Sequence, residues 1–155
     1  MLASLQRWIN DMTATSETRE PPTLALATAA LLCEVIRADY RLDPAELEAL
    51  RDELEQRLGL DDDALAELMD LAQRETETAV DHHRFVRLVR DECDYDARVE
   101  LVRSMWALAF ADGEKDALEE HRIRRLSELL HVSHSDFVRT RLMEEQRAEG
   151  ETGTD

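Results

Sequence analysis

Two short segments of the sequence carry the residues best suited to chemistry, three acids each at the same spacing. In each segment an aspartate is followed by a second aspartate four positions later and by a glutamate three positions after that. The six residues are Asp39, Asp43, Glu46, Asp112, Asp116 and Glu119. Carboxylate oxygens on tight loops are ligands that hard cations such as Ca²⁺ and Mg²⁺ prefer. We therefore predict a divalent-cation site, although the spacing differs from that of an EF-hand loop.

Part of this pattern also has a purely structural explanation. Asp43 and Asp116 each precede a predicted helix, and Glu46 and Glu119 follow three positions later. An aspartate N-cap with a glutamate at the third helical position satisfies backbone N–H groups, and such a cap stabilises a helix by about 0.5–2 kcal/mol. Helix capping and cation binding are therefore both open for these four acids.

The remaining two acids lie at the ends of predicted helices. Asp39 follows Val35 by four positions, and Asp112 follows Leu108 by four, so each carboxylate extends an apolar stripe. A negative charge is unfavourable at the C-terminal end of a helix dipole. It needs a partner, which could be backbone N–H groups of the turn, an arginine or a metal ion. An Asx-turn that closes the loop is the alternative role.

The acidic segments are part of a longer internal repeat. Segment 38–46 aligns with segment 111–119 at an offset of 73 positions. One residue is lost further along, and Leu65 then aligns with Phe137. Each repeat consists of a long helix, an acidic loop, a second helix and a third helix. We expect the two repeats to form similar helix–loop–helix halves related by a pseudo-twofold axis.

The rest of the sequence predicts an all-α fold, a compact bundle of about seven helices. Apolar residues recur at helical spacing, Gly and Pro number only 4 and 3, and strand-like β-branched runs are absent. Gly59 is expected to end the second helix of the domain. The last helix is predicted to carry an apolar stripe. That stripe consists of Phe137, Val138, Leu142 and Met143. Candidate N-caps of the helices are Asp43, Asp61, Asp81, Asp94, Asp116 and Ser133.

Composition divides the chain into three segments. Residues 1–22 are predicted to form a short amphipathic helix and a polar linker that ends in two prolines. Residues 23–143 form the helical domain. Residues 144–155 are polar and lack an apolar stripe, so we predict a flexible acidic tail.

The net charge of −17 restricts the partners that the chain can bind. A nucleic-acid-binding protein needs a basic surface, and an anionic membrane repels an acidic one. We therefore expect neither nucleic acid nor integral membrane contact. A protein partner is expected but is not identified by the sequence, and a homodimer remains open.

The cysteines and the N-terminus favour a cytoplasmic location. Cys33 and Cys93 each lie among apolar helical positions and form no Cys-x-x-Cys motif, so we expect small core residues rather than a disulfide. The first residues lack the apolar run of a signal peptide, and no segment is long and apolar enough to suggest a transmembrane helix.

The repeated Ala-Asp-x-x-x-Asp-x-x-Glu loop resembles the TerB-like tellurite-resistance family, whose fold group includes the N-terminal domain of the DjlA co-chaperone. The stretches LATAALLCEVIRADYRLDPAELEAL and LVRSMWALAFADGEKDALEEHRIRRL carry this resemblance, which covers residues 23–143. It implies a helical bundle of two similar halves, a cytoplasmic binding or scaffold role, and metal binding through the six acids of the two loops. Tyr40 stands where the second loop has Gly113. We expect no J-domain, so co-chaperone activity does not transfer.

The sequence thus favours a non-enzymatic, cytoplasmic TerB-like module related to tellurite resistance or stress response. It would bind Ca²⁺ or Mg²⁺ through the two acidic loops, a partner protein, or both. A metal-dependent hydrolase that uses the same acids is one alternative, and it would need an open metal face beside a concave site. A purely structural interaction domain is the other.

Overall fold

The computed structural model describes residues 23–37, 43–78, 83–113 and 117–152. Seven helices occur in these ranges: α1 (Leu24–Ile36), α2 (Pro44–Leu58), α3 (Asp62–Thr78), α4 (His83–Glu92), α5 (Tyr95–Ala109), α6 (Ala117–Leu129) and α7 (His134–Thr152). The described residues contain no strand, so the all-α prediction is confirmed. The predicted helix within residues 1–12 lies outside the described residues, as do Asp39, Asp81 and Asp116.

Most of the predicted helix caps are present and explain where the helices begin. The Asp43 carboxylate accepts a hydrogen bond from the Ala45 N–H at 2.7 Å, and Pro44 occupies the first helical position. Gly59 ends α2 with a left-handed φ of 62°, a conformation that costs glycine little. Further N-cap hydrogen bonds are made by Asp61, Asp94 and Ser133.

Helix α1 lies at the centre of the bundle. All of its residues from 26 to 36 are buried, including Leu31, Leu32 and Ile36. It packs against α2, α3, α4, α5 and α6. A helix that is apolar around most of its circumference is buried in this way because every face needs cover from water. Helices α2 to α6 therefore surround α1, and α7 packs on α5 and α6.

The packing relations of the first three helices recur in the last three. α1 packs most extensively on α3, as α5 does on α7, and α1 contacts α6 while α5 contacts α2. His131 follows α6 with a left-handed φ of 59°, at the place where Gly59 follows α2. These relations accord with two similar halves, whose superposition about a pseudo-twofold axis stays a prediction.

The apolar residues predicted for the last helix lie on it, but only one of the four is buried. Phe137 is buried in the core. Val138, Leu142 and Met143, by contrast, are 37%, 50% and 45% exposed. Thr140, which was not in the predicted stripe, is buried instead.

Helix α7 can turn a polar side towards the core because each of the buried polar groups Thr140 and Glu144 has a hydrogen-bond partner. The Thr140 hydroxyl bonds the Asp136 carbonyl oxygen at 2.8 Å. Glu144 accepts a hydrogen bond from Arg103 of α5 at 2.6 Å. The predicted start of the tail at residue 144 falls inside α7, which continues to Thr152. Among the described residues, no helix combines the length and apolar character needed to cross a membrane.

Candidate metal centre

The first acidic segment enters the structure at the N-terminal end of α2. Asp43 has an extended backbone, and its side chain caps the helix. Glu46 lies in the first helical turn and is only 1% exposed, so its side chain is turned into the protein. Carboxylates at this end of a helix are favoured by the helix dipole. The local sequence therefore holds two acids close together at one helix end.

The second acidic segment follows the C-terminal end of α5. A tight turn is closed by hydrogen bonds from the Ala111 N–H to the Leu108 carbonyl oxygen at 3.2 Å and from the Gly113 N–H to the Phe110 carbonyl oxygen at 3.1 Å. Gly113 adopts a left-handed φ of 78°, which a residue with a side chain rarely adopts. This turn places Asp112 directly after the helix, where it is half-buried.

Tertiary packing brings acids from both segments to one place. Asp43, Glu46 and Asp112 each have a carboxylate oxygen, and these three oxygens lie within 4.8 Å of one another. Two oxygens bound to the same Ca²⁺ at about 2.4 Å can be at most about 4.8 Å apart. The separation of the three carboxylates is therefore compatible with a shared cation.

The cluster differs from the arrangement that the sequence indicated. Sequence spacing treated each loop as a unit, whereas the cluster combines two acids of the first loop with Asp112 of the second. Glu119 occupies the first turn of α6 and is 1% exposed, like Glu46 in α2, but it is not part of this cluster. Asp39 and Asp116 lie outside the described residues. Helices α2 and α6 occupy similar positions in the two repeats and pack in similar ways. This similarity is the signal that could have indicated a cluster built from acids of both loops.

Negative charge is concentrated in the cluster. Three carboxylates at this separation repel one another when ionised. Glu46 adds a desolvation cost, because a buried charge has lost most of its hydration. A divalent cation would offset both contributions at once. Oxygen is the sole donor type in the cluster, which fits Ca²⁺ or Mg²⁺ better than Zn²⁺ or copper.

A second polar cluster, which sequence reasoning missed, connects α2, α5 and α7. The Ser104 hydroxyl donates to a Glu53 carboxylate oxygen at 2.9 Å and accepts from Arg57 at 2.6 Å. Arg103 lies 3.6 Å from Glu53 and 2.6 Å from Glu144. Burial by itself would lower the pKa of Arg103, but hydrogen bonds to carboxylates raise it on balance. Opposite charges balance here, so the cluster is a structural connection rather than a cation site.

Comparison with known proteins places most of the chain in one family. The family model described as tellurite resistance protein TerB matches residues 25–142. No curated protein and no solved structure gives a significant match. The matched range contains both acidic segments and helices α2 to α6 in full.

Proposed function

We propose that this chain, which belongs to the TerB family of tellurite resistance proteins, is a non-enzymatic module that binds a hard divalent cation through Asp43, Glu46 and Asp112. The observation that carries the proposal is the convergence of these three carboxylates from two loops, with oxygens within 4.8 Å of one another. Their bond to a cation would tie the start of α2 to the end of α5.

The repeat extends the proposal to the other acids. In the alignment Asp39 corresponds to Asp112, Asp116 to Asp43, and Glu119 to Glu46. If the two halves are arranged alike, Asp39, Asp116 and Glu119 supply a second trio of the same composition. Glu119 supports this extension, because it is as deeply buried at the start of α6 as Glu46 is in α2.

The family and the charge support a proposal for the cellular role. We propose that the module acts in the cytoplasm, in tellurite resistance or a related stress response. Cation binding would be combined with recognition of a protein partner. The net charge of −17 favours a partner with a basic surface.

Two aspartate N-caps provide a matched test of the cation site. Asp43 caps α2 inside the cluster, and Asp94 caps α5 outside it, with a hydrogen bond of 2.8 Å to the Ala97 N–H. Asparagine is a good N-cap, so Asp43→Asn and Asp94→Asn both keep the cap and remove one charge. We expect Asp43→Asn to lower the affinity for Ca²⁺ at least tenfold and Asp94→Asn to leave it unchanged.

Thermal unfolding in calcium, magnesium and sodium chlorides at matched ionic strength measures this difference. A cation at 100 times its dissociation constant stabilises the folded state by about 2.7 kcal/mol, which raises the melting temperature of a domain of this size by about 5–10 °C. Sodium controls for general screening of the negative charge. Equal shifts with all three salts, or equal affinities of the two variants, would refute the cation site.

A further inference from the structure

Helix α7 exposes apolar side chains to solvent while burying polar ones. Val138, Leu142 and Met143 are 37%, 50% and 45% exposed, whereas Thr140 and Glu144 are buried. Val138 and Leu142 are four positions apart, so they are neighbours on the same side of the helix. The Arg139 guanidinium lies 3.5 Å from the Met143 sulfur. We call the exposed side formed by Val138, Arg139, Leu142 and Met143 the outer face of α7.

The corresponding helix of the first repeat lacks such a face. In the repeat alignment Leu142 corresponds to Asp70 and Val138 to Ala66, and both of these α3 residues are exposed. Asp70 forms an ion pair with Arg74 on the same helix. Helix α3 therefore has the polar outer surface that is normal for a helix in contact with water. The apolar outer face is specific to α7 and is not a general property of the repeat.

Charges of opposite sign flank the outer face, with Arg139 three positions before Leu142 and Glu145 three positions after it. Arg147 does not belong to this face, because its guanidinium lies 3.8 Å from the buried Glu144 carboxylate. When two copies of a helix cross in antiparallel orientation at one residue, positions equally far before and after that residue face each other. With Leu142 at the crossing, Arg139 of one copy faces Glu145 of the other. The charge pattern is therefore complementary to itself.

We propose that the outer face of α7 is a homodimer interface in which two copies of this helix pack antiparallel, with Leu142 next to the twofold axis. The apolar side chains form its centre, and the pairs between Arg139 and Glu145 flank them on both sides. Arg139 also contacts Asp136 of its own helix at 2.9 Å. A guanidinium has five N–H donors, so it can bond both carboxylates.

This interface is small, and its strength depends on salt. Stable interfaces bury about 1,200–2,000 Å², and one pair of helix faces buries less. We therefore expect a dissociation constant on the order of micromolar or weaker. Salt screens the repulsion between two copies of charge −17. The dimer should consequently become tighter as sodium chloride is raised from about 0.1 M to about 0.5 M, whereas binding to a basic partner would become weaker.

Sedimentation of the full chain across a wide concentration range tests the proposal. The wild type should shift from monomer to dimer, and Leu142→Asp should weaken the dimer at least tenfold. Leu142→Asp is suited to this purpose because α3 already carries aspartate at the equivalent position. Arg139→Glu and Glu145→Arg should each weaken the dimer, and the two changes combined should restore it.

Disulfide crosslinking supplies an independent readout with a matched control. In a Cys93→Ser background, Leu142→Cys should form a crosslinked dimer on mild oxidation, and Asp70→Cys on α3 should not. Cys33 does not interfere, because it is buried and desolvation raises the pKa of its thiol to about 12.

Three results would overturn the proposal. One is a wild type that stays monomeric at all concentrations, and another is crosslinking that is equal at positions 142 and 70. The third is a dimer that forms only after residues 1–22 are removed, which would show that the N-terminal segment covers the outer face instead.

Discussion

The third helices of the two repeats are held to the bundle by different kinds of contact. Helix α3 packs on α1 through apolar side chains, with Leu65, Leu68 and Ala72 all fully buried. Helix α7 packs on α5 through Phe137 but also through polar residues. Equivalent helices of the two repeats can therefore be held by burial of apolar surface in one repeat and by ionic contacts in the other.

The ionic contact of α7 with α5 and α2 depends on one arginine. Arg103 lies between Glu53 of α2 and Glu144 of α7, and both glutamates are less than 10% exposed. In the repeat alignment, Ala30 of α1 stands at the position of Arg103. The first repeat thus has no cation at this position, and the inner side of α3 is largely apolar.

The largest predicted effect comes from removing that arginine. Arg103→Ala leaves two buried carboxylates without their shared cation, and loss of one partner of a buried ion pair costs about 3–5 kcal/mol. The control is Arg37→Ala, which removes the more exposed pair between α1 and α3 at Glu77 and should cost under about 1 kcal/mol. Urea unfolding measures both. Similar losses for the two variants would show that the second repeat does not depend on its buried charges.

Alanine substitutions at equivalent core positions of α3 and α7 should give a smaller difference in the free energy of unfolding. Leu68 of α3 aligns with Thr140 of α7, and both are buried. Leu68→Ala leaves a cavity and should cost about 3 kcal/mol. Thr140→Ala removes a hydroxyl bonded to carbonyls of its own helix and should cost about 1 kcal/mol. A larger loss at Thr140 than at Leu68 in urea unfolding would contradict the proposed difference between the helices.

The smallest predicted effect is a pH dependence of stability that arises from Asp136 at the start of α7. Asp136 accepts a hydrogen bond from the Tyr95 hydroxyl at 2.5 Å. This bond and the bonds from Arg139 and Ser133 lower the pKa of Asp136 below its ordinary value of 3.8. The stabilisation is therefore present above that value and is lost as pH falls through the lower folded-state pKa.

Asp136→Asn separates this contribution from those of the other acids. The difference in stability between wild type and variant should shrink as pH is lowered from about 5 to about 2, because the wild-type carboxylate becomes neutral. Urea unfolding of both proteins at each pH measures this difference. A difference that stays constant over this range would show that the Asp136 charge contributes nothing to the attachment of α7.

Local sequence signals were sufficient for much of the fold. Asp43, Asp94, Gly59 and Ser133 marked helix ends because capping depends on residues only a few positions apart. The side of α7 that faces the core could not be predicted in the same way. Its burial of Glu144 depends on Arg103, which is 41 positions away in the sequence.

The candidate site was predictable in its residue types but not in its grouping. The spacing of Asp43 and Glu46 selected two acids at one helix end. Their approach to Asp112 depends on how α2 and α5 pack together, and no local pattern reports that packing. The repeat carries this information only once the arrangement of the two halves is known.

The most direct test of the central proposal is an NMR titration of the ¹⁵N-labelled chain with calcium chloride. We predict saturable shifts of the amides of Ala45, Glu46, Asp112 and Gly113, which belong to the two acidic segments, and much smaller shifts with sodium chloride at equal ionic strength. The same titration of Asp43→Asn should need at least tenfold more calcium. Shifts that do not saturate, or that spread evenly over the acidic surface with either salt, would contradict the cation site.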